Sequence, residues 1–592
     1  MHSRILFFLA LTPLVIVVIY SLPANKQAAF QVQPANRLLD LDIDTFIEGV
    51  LADWKSPGGL GVAVVKGGDD GGWQVETKGY GFATLGGSRV SEDTLFCIGS
   101  NSKLFNVLAT GLLISNESLV PRISWDTRIA DIVPEWELRD PVASARSTIV
   151  DLMSHRTGLP RDDLMYSWTE DIHSLLPRFK FLRPSTEFRD KWQYNNNMYT
   201  LLSYLPTVLL PSRIPYTQYV KEHIFDPLGL SSTTFSGNVA LESGNLAEGI
   251  ARDQVNRTED LFGQGILRSM PYWISVDGND GSLLSGAGGV IMSARDAVTW
   301  LQTLLLNGRN PLTHESVIPP EIIKKAATGV TVVHGQMSHP TLSPVVYGGG
   351  QAIMAYRGHT LIEHGGSAPG FHTQIARLPF DNLGVAVFSN DDIYGDRIMN
   401  IVKFGIIDKV LGLERIDWND IMKAATAASY KKASSQIIPR PDNPKPPSAL
   451  WEGRYKNDAY GEILLCLVGL ESSTLPECHK LTDEVYTTLP GAIDLAIPTL
   501  VAKWNKIWAS HIVLEHFDGD LYNASALDSI ATDDGFWVNQ EARDELITAE
   551  FVIEEDGVGF GLTGGIWGAG PGVDPPKGDT VRERAEVWFW KV

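Results

Sequence analysis

Ser100 and Lys103 stand three residues apart in Phe96-Cys97-Ile98-Gly99-Ser100-Asn101-Ser102-Lys103-Leu104-Phe105. The stretch reads as a short apolar run, a glycine and then a helix, because Leu104, Val107, Leu108 and Leu112 recur at helical spacing. Side chains three apart on a helix are neighbours, with Cβ atoms about 5–6 Å apart. A serine hydroxyl is a weak nucleophile until a base takes its proton. A lysine serves as that base only where desolvation or a nearby cation disfavours its ammonium form. Ser100 and Lys103 therefore read as nucleophile and base at a helix start, where backbone N–H groups add positive potential for a developing oxyanion. The same spacing recurs in Ser429-Tyr430-Lys431-Lys432, so spacing alone does not assign the chemistry.

Other chemistry-bearing residues are spread along the chain. Ile149–Pro160 reads as a short helix ended by Gly-Leu-Pro with His155 near its C-terminus, a place where a histidine is usually a structural hydrogen-bonder. Tyr194 precedes Asn195-Asn196-Asn197, and a helix with Met198, Leu201, Leu202 and Leu205 on one face follows. Helix caps account for asparagines there but not for the tyrosine. Ser285-Gly286-Ala287-Gly288-Gly289 leads into an apolar helix and suits a tight turn or a close backbone approach to a ligand. His359, His364 and His372 fall among strands and turns. With no His-Glu-x-x-His spacing, neither a metal nor a cofactor is expected.

These residues need a scaffold. Leu41–Trp54 has the periodicity of an amphipathic helix, and Leu60–Val65 and Trp73–Tyr80 read as a hairpin. Tyr347–Tyr356, His359–His364, Gly370–Arg377 and Gly384–Asn390 read as later strands that complete the sheet. Ser429–Ser448 reads as a stiff Lys-, Ser- and Pro-rich linker. Beyond it, Trp451–Tyr455, Glu462–Val468, Phe536–Val538, Phe551–Ile553 and Val587–Trp590 suggest an antiparallel β domain, a small barrel.

At 592 residues the chain holds more than one domain, and 44% hydrophobic with 20% charged residues is ordinary for folded protein. A net charge of -21 repels phosphate backbones and argues against nucleic-acid binding. Arg4 and the apolar run Ile5–Leu22 fit a secretory signal cleaved near Ala24. An uncleaved signal-anchor is the alternative, with the body then lumenal or extracellular and membrane-tethered. Sequons at Asn116, Asn256 and Asn523 agree with a secreted address. Cys466 and Cys478 are close enough in sequence to staple a hairpin, and Cys97 reads as a buried thiol.

Together these pieces resemble the serine β-lactamase and penicillin-binding-protein superfamily, nearest to its class C β-lactamase, D-aminopeptidase and family VIII esterase branch. Ser100-Asn101-Ser102-Lys103 matches Ser-x-x-Lys, Tyr194-Asn195-Asn196 matches Tyr-x-Asn, and His364-Gly365-Gly366 stands in the place of Lys-Thr-Gly or His-x-Gly. Leu152–Pro160 and Ile224–Leu230 look like supporting segments of the same family. The resemblance implies an α/β (α+β) fold, an antiparallel sheet flanked by helices plus an all-helical subdomain. The implied organisation is residues 1–24 as signal or anchor, 40–425 as catalytic domain, 426–449 as linker and 450–592 as a lipocalin-like β domain.

It also implies roles. Ser100 would form an acyl-enzyme, and Lys103 and Tyr194 would share the base work, with the lysine favouring phenolate character in Tyr194. Asn196 would orient substrate or the Lys103 amine. The N–H groups of Ser100 and Ser367, beside Gly366, would make the oxyanion hole. His364 replaces a permanent cation, which lowers the expectation of β-lactamase or cell-wall carboxypeptidase activity and raises that of esterase, amidase or aminopeptidase-like activity, with small uncharged esters turned over better than penicillins. An acyltransferase or cyclase with the same residues, and a non-catalytic binding protein on the same fold, are the rival classes.

Overall fold

The computed structural model describes residues 37–167, 169–272, 283–469, 473–540 and 547–592; the N-terminal apolar run lies outside them. Its centre is an eight-stranded, wholly antiparallel sheet. The order is Trp73–Gly81, Gly59–Gly67, Leu383–Ser389, Phe371–Leu378, His359–Ala368, Ala352–Tyr356, Val345–Tyr347 and Thr331–His334. The first strand of the chain thus pairs with the last strand of the sheet in chain order: Leu60 lies opposite Ser389 and Val64 opposite Val385.

The alternation along Gly59–Gly67 shows why the sheet is buried on both faces. Leu60, Val62 and Val64 pack against helices Leu41–Asp53 and Gly395–Val410. Ala63 and Val65 point the other way, into the larger core that includes Trp300 and Leu301 of helix Ala294–Leu305. Burying each such aliphatic side chain contributes about 1.5–3 kcal/mol, so this two-sided packing is a main reason the sheet forms. The apolar segment expected over Tyr347–Tyr356 is two strands, because Gly348–Gly350 turn between them and Gly350 adopts φ +65°.

Among the described residues no strand intervenes between Cys97 and Gly249, and this stretch is the helical subdomain. Its central helix, Ser102–Ser115, is buried nearly all round rather than along one stripe: Lys103, Phe105, Asn106 and Ala109 are as enclosed as Leu104, Val107 and Leu108. Phe105 stacks on Trp300 and meets Phe225 edge-on.

The expected linker begins as a helix. Trp418–Gln436 is one continuous helix, so Ser429–Gln436 belongs to the catalytic body. Only the proline-rich remainder is irregular, and it lies along the C-terminal domain, with the Gly519 N–H donating to Lys445 O at 2.9 Å.

The C-terminal domain is a closed antiparallel barrel. Strands Gly453–Asn457, Gly461–Val468, Thr499–Lys506, Ala509–Asp518, Leu521–Thr532, Ile547–Glu554, Gly557–Thr563 and Val587–Lys591 form the ring, with Gly535–Gln540 added outside on Leu521–Thr532. Eight strands enclose a space that side chains can fill. Here Tyr455, Tyr522, Phe551, Phe560 and Phe589 fill it in mutual ring contact. Cys466 and Cys478 form a disulfide with a Cα separation of 5.5 Å. It is not a hairpin staple, since it ties an outward-facing strand position to the start of helix His479–Thr488, which covers Val501, Val513 and Leu527 on the barrel's outer wall.

Candidate active site

The Gly99–Asn101 turn sits against the strand His359–Ala368. The neighbouring strand Ala352–Tyr356 pairs with it only as far as Glu363, which leaves the edge from His364 onward without a strand partner on that side. Two glycines allow the approach. A Cβ on Gly366 would stand 2.0 Å from Ile98 O, and one on Gly99, at φ +49°, would stand 2.8 Å from Ser367 N. The turn is locked from behind: Thr373 Oγ1 donates to Ile98 O at 2.9 Å, and Ser102 Oγ donates to Gly99 O at 2.6 Å. Ser100 and the Ser367 amide thus lie at one junction of turn and sheet edge.

Lys103 is fully buried, and its Nζ lies 3.0 Å from Ser100 Oγ, 2.7 Å from Asn196 Oδ1 and 2.7 Å from Ala287 O. Burial, then the Arg161 charge, hold its pKa well below the ordinary lysine value. A neutral amine has two N–H bonds and one lone pair. Asn196 Oδ1 and Ala287 O are pure acceptors and take the two N–H groups. The lone pair is left for Ser100 Oγ–H. Asn196 is held in turn by its Nδ2, which donates to Asp163 Oδ1 at 3.0 Å. The glycine-rich Ser285–Gly288 turn supplies Ala287 O.

Tyr194 OH lies 2.5 Å from Ser100 Oγ. Burial pushes the phenol up to about 12, although the Ser100 hydrogen bond and Arg161 pull it down. It therefore stays protonated at neutral pH and donates to Oγ. This corrects the expected phenolate: Lys103 Nζ lies 4.7 Å from the centroid of the Tyr194 ring and contacts the ring face. His155 holds Tyr194 in place, with ring centroids 4.5 Å apart, and its Nδ1 accepts from the Asn195 N–H at 3.1 Å. The helix Ile149–Met153 ends before it, and His155 adopts φ +58°. Burial keeps this imidazole neutral.

His364 is also neutral. Burial, then Lys103, lower its pKa to about 4. Its Nδ1 lies 2.5 Å from Gly365 O, which can only accept, so Nδ1 carries the proton and Nε2 accepts from Tyr347 OH at 2.8 Å. The three histidines do not converge: His359 pairs with Asp381 at 3.0 Å, and His372 Nε2 donates to Asp392 O at 2.9 Å.

With the Ser100–Lys103–Tyr194 arrangement in place, the family can be assigned. The family model described as Beta-lactamase matches residues 45–401. This chain belongs to the β-lactamase family. It is 28% identical to "Unguisins hydrolase ungD'" of Aspergillus campestris, over 72% of this chain and 78% of that protein. It is 26% identical to "Unguisins hydrolase ungD" of Aspergillus violaceofuscus, over 82% of this chain and 83% of that protein, so that likeness reaches beyond the family segment. In fold it is similar to the octameric penicillin-binding protein homologue from Pyrococcus abyssi, with TM-score 0.51 and 19% identity over 88% of this chain and 98% of that one. Both Aspergillus relatives are named as hydrolases.

The cleft of this family member, about 530 Å³, is lined by Ser100, Tyr194, Asn196, His364 and Ser367, and also by residues outside the recognised motifs. Arg161 is one. Its guanidinium lies 5.1 Å from the centroid of the Tyr194 ring and pairs with Asp163 at 2.6 Å, so the wall carries a cation already matched by an anion. The barrel contributes Trp508 and Gly568–Pro571. That loop is pinned to the catalytic domain: Asp162 N–H donates to Trp567 O at 2.9 Å, and Gly570 N–H donates to Gln193 Oε1 at 2.8 Å, one residue before Tyr194. The run Gly564-Gly565-Ile566-Trp567-Gly568-Ala569-Gly570-Pro571-Gly572 was visible in the sequence as a glycine cluster, but nothing local tied it to Ser100. Asn256 and Asn523 are exposed, and Asn116 is partly exposed just past the helix Ser102–Ser115.

Proposed function

We propose that this protein is a serine acyl hydrolase that works through a Ser100 acyl-enzyme on neutral esters or amides, peptides included. Ser100 Oγ attacks the carbonyl carbon while its proton passes to the Lys103 lone pair. The carbonyl oxygen becomes an oxyanion at the Ser100 and Ser367 N–H groups. Tyr194 gives its proton to the departing alkoxide or amine and regains one from Lys103. Water then attacks the ester of Ser100 by the same steps in reverse order, and the acid leaves. The observation that carries this reading is the double hydrogen bond on Ser100 Oγ, from Tyr194 OH at 2.5 Å and with Lys103 Nζ at 3.0 Å. The names of the two Aspergillus relatives support hydrolysis as the outcome.

The preference for neutral substrates is supported by the uncharged His364 and by the pairing of Arg161 with Asp163. An extracytoplasmic address is supported by the Cys466–Cys478 disulfide, the N-terminal apolar run and the exposed sequons. Incubation with a fluorophosphonate or a penicillin and intact-mass analysis tests the acyl-enzyme. One adduct, mapped to Ser100 and absent from Ser100→Ala, is expected. A folded protein that takes up neither probe, and turns over no ester, overturns the reading.

A further inference from the structure

Asp162 and Asp163 are neighbours in sequence with opposite destinations. Asp162 turns to the barrel, donating its N–H to Trp567 O at 2.9 Å and accepting from Tyr460 OH at 2.7 Å. Asp163 turns to the catalytic side. Its Oδ1 accepts from Asn196 Nδ2 at 3.0 Å and from Tyr166 OH at 2.6 Å. Its Oδ2 takes the Arg161 guanidinium, from Nε at 2.7 Å and from Nη2 at 2.6 Å. Three side chains thus converge on one carboxylate.

An ionised carboxylate only accepts hydrogen bonds, so it sets which way the Asn196 amide faces. With Nδ2 committed to Asp163, Oδ1 is the atom left for Lys103 Nζ, 2.7 Å away. The reversed amide would offer Nδ2 to Lys103, occupy the amine lone pair and turn an N–H towards Ser100 Oγ. The base would then face the wrong way. The segment around Asp163 is itself fixed by the barrel. Arg161 N–H donates to Gly568 O at 3.3 Å, Trp504 Nε1 donates to Leu164 O at 3.0 Å, and Ile507 N–H donates to Tyr166 O at 3.1 Å.

The same carboxylate enters the charge balance of the site. Arg161 lies 5.1 Å from the centroid of the Tyr194 ring, and Lys103 Nζ lies 4.7 Å from it. Arg161 disfavours the Lys103 ammonium and Asp163 favours it. The other titratable groups facing the amine are Tyr194, Tyr199, His155 and His364. Burial keeps both imidazoles neutral and both phenols protonated.

We propose that Asp163 is a positioning residue for the acyl-transfer step: its carboxylate fixes the Asn196 amide so that the Lys103 lone pair faces Ser100, and it offsets the Arg161 charge beside Tyr194. The inference rests on the acyl-hydrolase reading of Ser100 and adds to it a residue outside the recognised motifs.

The test measures the second-order rate of Ser100 labelling by a fluorophosphonate from pH 4 to 9, in the full chain. Asp163→Asn keeps an oxygen for Asn196 and Tyr166 and loses the charge. It should label within about threefold of the wild type. Its acid-side midpoint should lie at least about half a unit lower, because an unopposed Arg161 makes Lys103 give up its proton more readily. Asp163→Ala removes the acceptor as well. Its labelling should fall by at least about tenfold, with the midpoint shifted in the same direction. Adding Arg161→Met to Asp163→Ala should return the midpoint towards the wild type and leave the rate low. With p-nitrophenyl acetate, Asp163→Ala should lower kcat while KM stays within about threefold. Native far-ultraviolet circular dichroism in each variant separates these losses from unfolding, and if Asp163→Ala does not fold, the midpoint of Asp163→Asn decides. Wild-type labelling in Asp163→Ala overturns the proposal. So does an equal loss in Asp163→Asn and Asp163→Ala with an unmoved midpoint, the mark of a merely structural residue. Either result beside normal labelling of wild-type Ser100 removes the positioning role alone. No labelling of the wild type at any pH removes the hydrolase reading, and this role with it.

Discussion

Burial and then Arg161 lower the Lys103 pKa and favour its neutral form, in which Asn196 and Ala287 leave one lone pair facing Ser100, as the proposed base role requires. Lys103→Ala and Tyr194→Phe should each reduce kcat by about 10²–10⁴-fold, the usual range for removing a proton-transfer group. Neither should move the midpoint of thermal unfolding enough to explain that loss. Tyr194→Phe with wild-type turnover across a pH series would show that the leaving group is protonated by another route. His364 gives a second prediction. It is neutral above about pH 4 and a cation below it. The ratio of carboxylate-bearing to matched neutral substrate turnover should therefore be low and flat from pH 5 to 8. His364→Lys should raise it, because a lysine there supplies the missing charge. Rates on a penicillin and a neutral ester, measured in both proteins, decide the matter, and an unchanged ratio removes His364 as the discriminating residue.

Elements, more than single residues, set the approach between Ser100 and the Ser367 N–H. The turn Gly99–Asn101 and the strand His359–Ala368 meet only because neither Gly99 nor Gly366 carries a Cβ. Gly366→Ala would place a methyl 2.0 Å from Ile98 O, a backbone atom that cannot rotate away. Acylation of Ser100 should drop by at least about tenfold while far-ultraviolet circular dichroism stays native; a fully active Gly366→Ala would show that the turn shifts freely. This junction was legible in the sequence through its motifs, since Ser100, Lys103, Tyr194 and His364 each carry a recognisable local pattern. The strands were legible too, through alternation and β-branched residues. Arg161 was not, because it lies one residue past Gly158-Leu159-Pro160 and its role comes from the ring of Tyr194 across space. Ser429–Gln436 was misjudged because lysine and serine favour solvent in a linker and on an exposed helix alike. Packing of Trp418 against Phe404 anchors the start of that helix, a contact that the composition of 429–436 does not reveal.

At the scale of the molecule, the barrel and the catalytic domain meet through buried polar groups, and these make the junction sensitive to pH. Asp162 adopts φ +47°, donates its N–H to Trp567 O and accepts from Tyr460 OH at 2.7 Å. Glu586 holds the same loop by accepting from the N–H groups of Gly565 at 3.0 Å and Trp567 at 3.4 Å. Burial pushes Asp162 up to about 8, the Tyr460 hydrogen bond lowers it, and Asp163 and Glu586 raise it further. The folded protein therefore holds a proton on Asp162 that the unfolded chain releases near pH 3.8. The stabilisation is fully present below about pH 4 and is lost as the pH rises through about 8. For a group this enclosed, the change is on the order of 6 kcal/mol. Asp162→Asn keeps an acceptor for Tyr460 and cannot ionise. Its thermal midpoint should fall less than that of the wild type between pH 5 and 8.5, so that the two curves converge on the acid side and separate on the alkaline side. Scanning calorimetry on both proteins across that range measures the separation. Parallel curves would mean that Asp162 ionises without cost and that the junction draws its stability from the packed rings and backbone hydrogen bonds instead.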